Sequence, residues 1–348
     1  MHATAAVTLA ADNPPHLFDT DDCMVSTAQP ARLPASSIFL IFLRLGVTCF
    51  GGPVAHIGFF RDEFVRRRAW LSDEAFADIV ALCQFMPGPS SSQVGIALGL
   101  RQGGLRGAVA AWLGFTLPSA ALLCVLGLAM KHYGTAMGHG WLHGLQLVAV
   151  AVVALALWSM ARTLCPDMPR LAIALVAMGL TLSFHSPFVQ VAALLAGAMG
   201  GLLLRAHLPA PTESVELLES GRAVHSGIAL VLFAVLLCAL PIVSTASGNY
   251  ALHLFSSFFR VGSLVFGGGH VVLPLLESVV VPSGWVTADA FIAGYGAAQA
   301  VPGPLFTFAA FLGSVSSGHP AGIVGAAIAV IAIFLPSFLL VIGVLPWW

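Results

Sequence analysis

Charge is what this chain has least of: Asp, Glu, Lys and Arg make up 8% of its 348 residues, whereas soluble domains run near a quarter charged. With 58% hydrophobic residues and a mean hydropathy of +0.95, the chain cannot shield itself from water as a soluble domain does. Long basic runs are missing too. The longest is Arg66-Arg67-Arg68 and the formal net charge is −1, so no nucleic-acid partner is implied. Cysteine is sparse and scattered. Cys23, Cys49, Cys83, Cys124, Cys165 and Cys238 show no C-x-x-C spacing, which indicates neither a zinc site nor a disulfide framework and leaves them as small apolar fillers. There is no H-E-x-x-H, no G-x-S-x-G and no P-loop, so no cofactor or metal is expected and the chain does not read as an enzyme. Residues 1–34 carry Asp12, Asp19, Asp21 and Asp22 and no Lys or Arg before Arg32. A secretory signal needs a basic start and an apolar core, so the expectation is an uncleaved, disordered tail.

What the chain has in abundance is apolar runs long enough to cross a bilayer, which takes about 20 residues each. They fall near 36–60, 73–100, 107–130, 141–161, 170–185, 187–204, 226–245, 251–276, 287–313 and 320–345. The predicted fold is an all-α polytopic membrane protein of about ten transmembrane helices, with the lipid bilayer as its main partner. The segment from Leu208 to Arg222, with Pro209, Pro211, Glu213, Glu216 and Glu219, reads as a solvated linker.

Compared with itself, the chain resolves into two copies. Residues 42–52 match 258–268 at an offset of 216, with Phe, Arg, Gly, Phe, Gly and Gly identical. Trp70, Ala75, Phe76, Gln84, Pro87, Gly88 and Pro89 recur at an offset of 215 as Trp285, Ala290, Phe291, Gln299, Pro302, Gly303 and Pro304, and Leu117-Pro118-Ser119 recurs as Leu335-Pro336-Ser337. The organisation expected is a tail over 1–34, a first repeat over 35–204, a linker with one transmembrane helix over 205–250, and a second repeat over 251–348. Duplicated membrane proteins of this kind are usually transporters with a site at the repeat interface. Arg61, Arg66, Arg67 and Arg68 follow the first helix of copy one, whereas the equivalent stretch 277–285 has no Lys or Arg. Basic loops stay cytoplasmic, and an odd number of expected crossings separates the two loops, so the repeat is expected to be inverted.

Three features carry chemistry. Arg44 and Arg260 lie at equivalent places in apolar runs, where an arginine costs about 2.5–3.5 kcal/mol and normally faces the bundle interior or a watery cavity; the alternative is an interface anchor. Phe50-Gly51-Gly52-Pro53 and Phe266-Gly267-Gly268-Gly269-His270 break helices at membrane depth, as backbone lining a cavity does, or else they pack helices closely. Gln84-Phe-Met-Pro87-Gly88-Pro89-Ser90-Ser91-Ser92-Gln93 and Gln299-Ala-Val-Pro302-Gly303-Pro304 interrupt apolar segments. Each stops one half-helix and starts another, with Pro89 and Pro304 suited to the first helical position. The new N-terminus offers free N–H groups and a positive dipole end to an anion, with Ser90, Ser91 and Ser92 adding hydroxyls; a plain proline kink is the alternative. Glu63, Asp73 and Glu74 read as solvated, Glu277 as a proton carrier or an interface residue, and His56 as a satisfied interior histidine.

At these residues the sequence resembles the chromate ion transporter family, over about residue 36 to the end. The resemblance rests on the run at 42–53, Trp70 to Asp73 leading to Gln84 and Pro87-Gly88-Pro89, and the second set at 266–270 and 299–304. It implies two homologous, antiparallel halves in a bacterial inner membrane, exporting chromate, with sulfate as a structural analogue and a homodimer possible. By matching position it implies a transport site holding Arg44, Gly51, Gly52, Gln84, Pro87, Gly88 and Pro89 and their second-copy partners Arg260, Gly267, Gly268, Gln299, Pro302, Gly303 and Pro304. Ser90 and Ser91, from the half-helix reading, and His270, beside the second glycine cluster and otherwise an interior histidine like His56, complete the expected substrate-binding set. Residue 348 aligns with about residue 130 of the first copy, so the second copy is expected to be C-terminally short.

Energetics favour export. Expelling a dianion at 100 mV, inside negative, gains about 4.6 kcal/mol, so efflux can run on the potential or on oxyanion exchange. A different oxyanion, or a structural or enzymatic bundle, are the other readings; an enzyme should show a nucleophile, base or metal set at membrane depth, and none is visible. Reporter fusions after Arg68 and at Ser283 should report opposite sides of the membrane, and same-side signals would count against an inverted repeat.

Overall fold

The computed structural model describes residues 33–133, 168–183, 223–266 and 271–348, with scattered positions between 144 and 167 and between 196 and 200. Apart from those scattered positions the segments expected at 141–161 and 187–204 lie outside the described residues, as do the linker 208–222 and nearly all of the expected tail. Among the described residues every regular element is helical. Three helices are long and apolar enough to cross a membrane: Ser90–Tyr133, Ser226–Ser247 and Gly322–Trp347.

The first half runs through α1 (Ala35–Thr48), α2 (Gly52–Phe60, continuing into a π-helical turn over Arg61–Arg67), α3 (Asp73–Phe85) and α4 (Ser90–Tyr133). The second half runs through α7 (Tyr250–Leu264), α8 (Val272–Val280), α9 (Ala288–Ala300), α10 (Phe308–Val315) and α11 (Gly322–Val344); α5 (Met168–Ser183) and α6 (Ala223–Ser247) lie between. Segments read as single runs at 36–60, 73–100, 251–276 and 287–313 are thus each two shorter helices, because Gly or Pro interrupts them. Local chemistry sets the starts alike in both halves. The Ser72 hydroxyl accepts from Ala75 N–H at the head of α3, and the Thr287 hydroxyl accepts from Ala290 N–H at the head of α9, each a side-chain cap.

α4 is a helical hairpin. At Gly104 the backbone turns to φ 63°, ψ −154°, separating arms over 90–103 and 105–133 that fold back on each other. The turn brings Gly99 against Gly107, so that a Cβ on Gly99 would sit 2.5 Å from the Gly107 carbonyl oxygen. α10 and α11 repeat the device, with a Cβ on Gly313 only 2.3 Å from the Gly325 carbonyl oxygen. α1 then lies on the outgoing arm, where a Cβ on Gly46 would meet the Phe115 carbonyl oxygen at 2.8 Å, and α7 lies on α11, where one on Gly262 would meet that of Ile333 at 2.2 Å. Lipid tails are as apolar as leucine, so helices in a bilayer gain little by hiding apolar surface from each other; close backbone approach through small residues supplies the packing instead.

Two apolar cores result, and each borrows from the other half. The first, around Phe42, Phe60, Phe64 and Phe115, includes Leu340, Val341 and Leu345 of the second half. The second, around Phe258, Phe259, Phe308 and Phe334, includes Leu123 of the first. The long helices that make this exchange run antiparallel. Trp112 stacks edge-on to Phe334 and Phe338 at 5.8 and 5.6 Å, while Leu128, further along α4, reaches Gly322 at the start of α11.

Gly99→Ala and Gly313→Ala should each lower the melting temperature in detergent, since the added methyl meets backbone that cannot step aside, a strain of about 1–3 kcal/mol. Gly58→Ala, which meets nothing within 4 Å, should leave the melting temperature unchanged or raise it.

Candidate substrate site at the crossing of the breaks

α3 ends at Phe85 because Pro87 disfavours helix in the residue before it. The chain then passes through Met86, Pro87, Gly88 and Pro89 in non-helical conformation and restarts at Ser90. Pro89 is not the first helical residue, as its type suggested, but the one before it, and its carbonyl accepts from Gln93 N–H at 2.9 Å. Gly88 has φ +119°, a conformation glycine adopts without strain. Its N–H donates to the Val265 carbonyl at 2.7 Å, at the end of α7. The second break mirrors this. Gly303, at φ +101°, donates to the Cys49 carbonyl at 2.9 Å, at the end of α1. A Cβ on Gly88 would lie 2.9 Å from Ser337 Oγ, and one on Gly303 would lie 2.8 Å from Ser119 Oγ. Each break therefore docks on the other half, under the serine that follows the other half's helix proline.

The first break is rich in buried polar groups. Ser90, Ser91, Ser92 and Gln93, with His56 beside Ser91 and Ser337 over Gly88, are all buried, as is Thr116 on the outgoing arm of α4. Gln93 Nε2 donates to the Pro87 carbonyl at 2.7 Å; since a carbonyl only accepts, this contact fixes which end of the amide is which and turns Oε1 away. His56 Nδ1 lies 3.3 Å from Ser91 Oγ, and its ring stands edge-on to Phe115 at 5.2 Å. Six buried atoms have no hydrogen-bond partner within the described protein: His56 Nε2, Ser92 Oγ, Gln93 Oε1, Trp112 Nε1, Thr116 Oγ1 and Ser337 Oγ. A buried polar group left unpaired costs about 1–3 kcal/mol, and native proteins rarely keep several together without a reason. The amides of Ser90, Ser91 and Ser92 open α4 and have no acceptor within that helix. Hydroxyls, an indole N–H and helix-start amides are the donors that hold an oxyanion without a fixed counter-charge.

The residues expected at the site divide. Gly88, Pro89, Ser90 and Ser91 are buried at the break, and Pro87 is half-buried beside them. Gln84 is exposed on α3, and Gln299 instead donates to Tyr295 Oη at 2.6 Å. Pro302 and Gly303 are half-buried and Pro304 is buried. Gly51 and Gly52 adopt φ +99° and +77° between α1 and α2. Arg44 and Arg260 are exposed, each on the opposite side of its helix from the buried Phe42 and Gly46, or Phe258 and Gly262. Gly267, Gly268 and His270 lie outside the described residues. Glu277 is exposed. Sequence reasoning named Ser92 as a donor but gave Gln93 no role and passed over Thr116 and Ser337, and it read His56 as satisfied although one ring nitrogen has no partner among the described residues. The signal was present in the run Ser90 to Gln93, four polar residues in succession at the start of an apolar helix.

Glu63 is also not solvated as its setting suggested. It is buried under Arg67 and Arg68, at 3.0 and 2.7 Å, while Arg61 pairs with Asp73 at 2.6 Å and Arg66 with Asp62 at 2.9 Å. Burial works against ionising Glu63, but hydrogen bonds from Arg68 and Arg67 outweigh it and hold the carboxyl below its usual range. The basic loop is thereby tied into a folded turn.

A family model described as Chromate transporter matches residues 36–202 and 252–348. The chromate transport protein of Pseudomonas aeruginosa is 30% identical over 314 residues, covering 89% of this chain and 73% of its own length. A probable chromate transport protein of Synechococcus elongatus is 30% identical over 314 residues, covering 88% of this chain and 75% of its own. The chromate transport protein of Cupriavidus metallidurans is 28% identical over 317 residues, covering 89% of this chain and 74% of its own. No solved structure matches the chain. Helices apolar enough to cross a bilayer, paired Pro-Gly-Pro breaks and these similarities agree: the chain is a membrane protein that belongs to the chromate transporter family.

Proposed function

We propose that this chain is a secondary transporter that exports chromate across the bacterial inner membrane, driven by the membrane potential or by exchange of oxyanions. The observation that carries this reading is the unpaired, buried Ser337 hydroxyl over Gly88 together with the unpaired Ser92 hydroxyl in the first turn of α4, beside helix-start amides that suit an anion. The names of the relatives supply the substrate, and sulfate, of the same shape and charge, is its analogue. Pro87, Gly88 and Pro89 shape the site, and Ser90 and Ser91 supply donors to it. Gln299, Pro302, Gly303 and Pro304 hold the opposite half in register. Arg44 and Arg260, on outward faces of equivalent helices, draw the anion toward the pathway, which Gly51, Gly52, Gln84, Gly267, Gly268 and His270 help to line.

The proposed architecture is an inverted repeat of about ten spans with the Arg61 to Arg68 loop in the cytoplasm. Two observations support it. α4 and α11 are equivalent in the two copies and run antiparallel, and the basic loop has an uncharged counterpart. Inversion gives two halves that can rock against each other around a site lying between them.

Everted membrane vesicles carrying the full chain should accumulate radiolabelled chromate, with uptake reduced by excess sulfate and collapsed by an uncoupler unless a counter-oxyanion is loaded inside. Arg44→Ala and Arg260→Ala should each lower the initial rate about tenfold or more, equivalent to about 1.4 kcal/mol, while inserting normally. Accumulation no greater than in vesicles lacking the chain would overturn the transport reading.

A further inference from the structure

We propose that the chain holds one oxyanion site rather than two, formed by His56, Ser92, Thr116 and Ser337 around the first break that Gln93 braces through the Pro87 carbonyl, and that the second break is its dry structural counterpart. The proposal rests on the reading of the chain as an oxyanion transporter and specifies where, and how many times, the substrate binds.

The two copies preserve the residues that dock the breaks and differ in those that would touch a ligand. Gly88 pairs with Gly303, Gly46 with Gly262 and Ser119 with Ser337. At the same offsets Ser90, Ser91, Ser92 and Gln93 correspond to Leu305, Phe306, Thr307 and Phe308, while His56 corresponds to Val272 and Thr116 to Phe334. Every polar side chain of the first set except Ser92 is apolar in the second. The aromatic rings fill the second break: Phe306 packs on Phe334 at 6.1 Å, and Phe308 on Phe291 at 5.2 Å and on Phe311 at 6.0 Å. The hydroxyl that remains, Thr307 Oγ1, is spent on the Pro304 carbonyl at 2.6 Å.

Hydrogen bonding divides in the same way. Ser119, over Gly303, donates to the Thr116 carbonyl at 3.1 Å, whereas its counterpart Ser337, over Gly88, has no partner among the described residues. Five of the six unpartnered atoms belong to the first half, and the sixth, Ser337 Oγ, reaches the first break from the second half. Ser337 is wholly buried and lies over the same glycine as the Gln93 amide. Two elements from different halves therefore converge on one glycine, with polar atoms that the described residues do not satisfy.

The chemistry fits a tetrahedral oxyanion held by neutral donors. Ser92, Thr116 and Ser337 hydroxyls and the amides opening α4 donate to its oxygens, and no arginine or lysine is among the buried groups of the described residues. Neutral donors in a low-dielectric site give directional recognition, and without a fixed buried counter-charge the anion is not trapped. Because Ser337 comes from the other half, the site is complete only when the two halves are docked.

The test uses the full chain in lipid nanodiscs, with equilibrium binding of radiolabelled chromate and thermal unfolding measured on the same samples. Wild type should bind one chromate per chain. Ser337→Ala and Thr116→Val should each weaken binding about fivefold or more while the melting temperature holds or rises, because each removes a buried hydroxyl that the described residues leave unpaired. Thr307→Val should do the reverse, keeping affinity within about twofold and lowering the melting temperature, because it removes a made hydrogen bond. Two chromates per chain, or a loss of affinity in Thr307→Val as large as in Thr116→Val, would overturn the single site and leave the transporter reading intact. No chromate binding by wild type would overturn the transporter reading itself.

Discussion

Backbone that leaves the helix at membrane depth must find its hydrogen bonds inside the protein or in a watery cavity, because lipid offers none. This chain breaks its helices repeatedly, and the rest of the structure follows from how the breaks are satisfied. The Gly88 amide bonds to Val265 and the Gly303 amide to Cys49, so the interrupted backbone of each half is completed by the helix end of the other. Neither half can satisfy its own break. The two cores show the same dependence, each containing side chains from the opposite half's long helix.

Such an exchange places the least regular backbone where the halves meet, and it accounts for the use of glycine. Gly88 and Gly303 have positive φ and would each place a Cβ against a serine of the opposite half. Positions that must approach backbone, such as Gly46 on Phe115 and Gly262 on Ile333, carry glycine in both copies. Several positions that differ between copies lie at the starts of the helices after the breaks, where Ser90, Ser91 and Gln93 stand against Leu305, Phe306 and Phe308. A duplicated scaffold can thus keep one docking geometry while one copy becomes polar and the other fills with phenylalanine.

Much of this was legible in the sequence, and the limits have physical causes. The duplication, the Pro-Gly-Pro interruptions and their equivalence are written in residue identity, because only Gly and Pro meet those backbone demands. The helical return at Gly104 was less visible, since a break near 100–107 suggests two helices but not that Gly99 touches Gly107. The exchange between halves leaves no periodic trace, so Ser337, far from Gln93 in sequence, gave no sign of meeting it over Gly88. Arg44 and Arg260 drew notice because charge in an apolar run is costly, yet both are exposed while the buried polar set is uncharged. His56 and Glu63 were misjudged because satisfaction and burial depend on neighbours distant in sequence. Gly267, Gly268 and His270, and most of the expected spans at 141–161 and 187–204, lie outside the described residues.

The central claim is that substrate reaches the crossing where Ser337 of one half overlies Gly88 of the other. It is tested most directly by placing a single cysteine at that crossing, as Ser337→Cys in a chain whose native cysteines are replaced, and following its reaction with a small thiol reagent in membranes. The account predicts that millimolar sulfate, the analogue of the same shape and charge that does not oxidise thiols, slows the reaction several-fold, and that a cysteine placed at Thr307 in the same background gains no such protection. Equal reaction rates at Ser337→Cys with and without sulfate would contradict it.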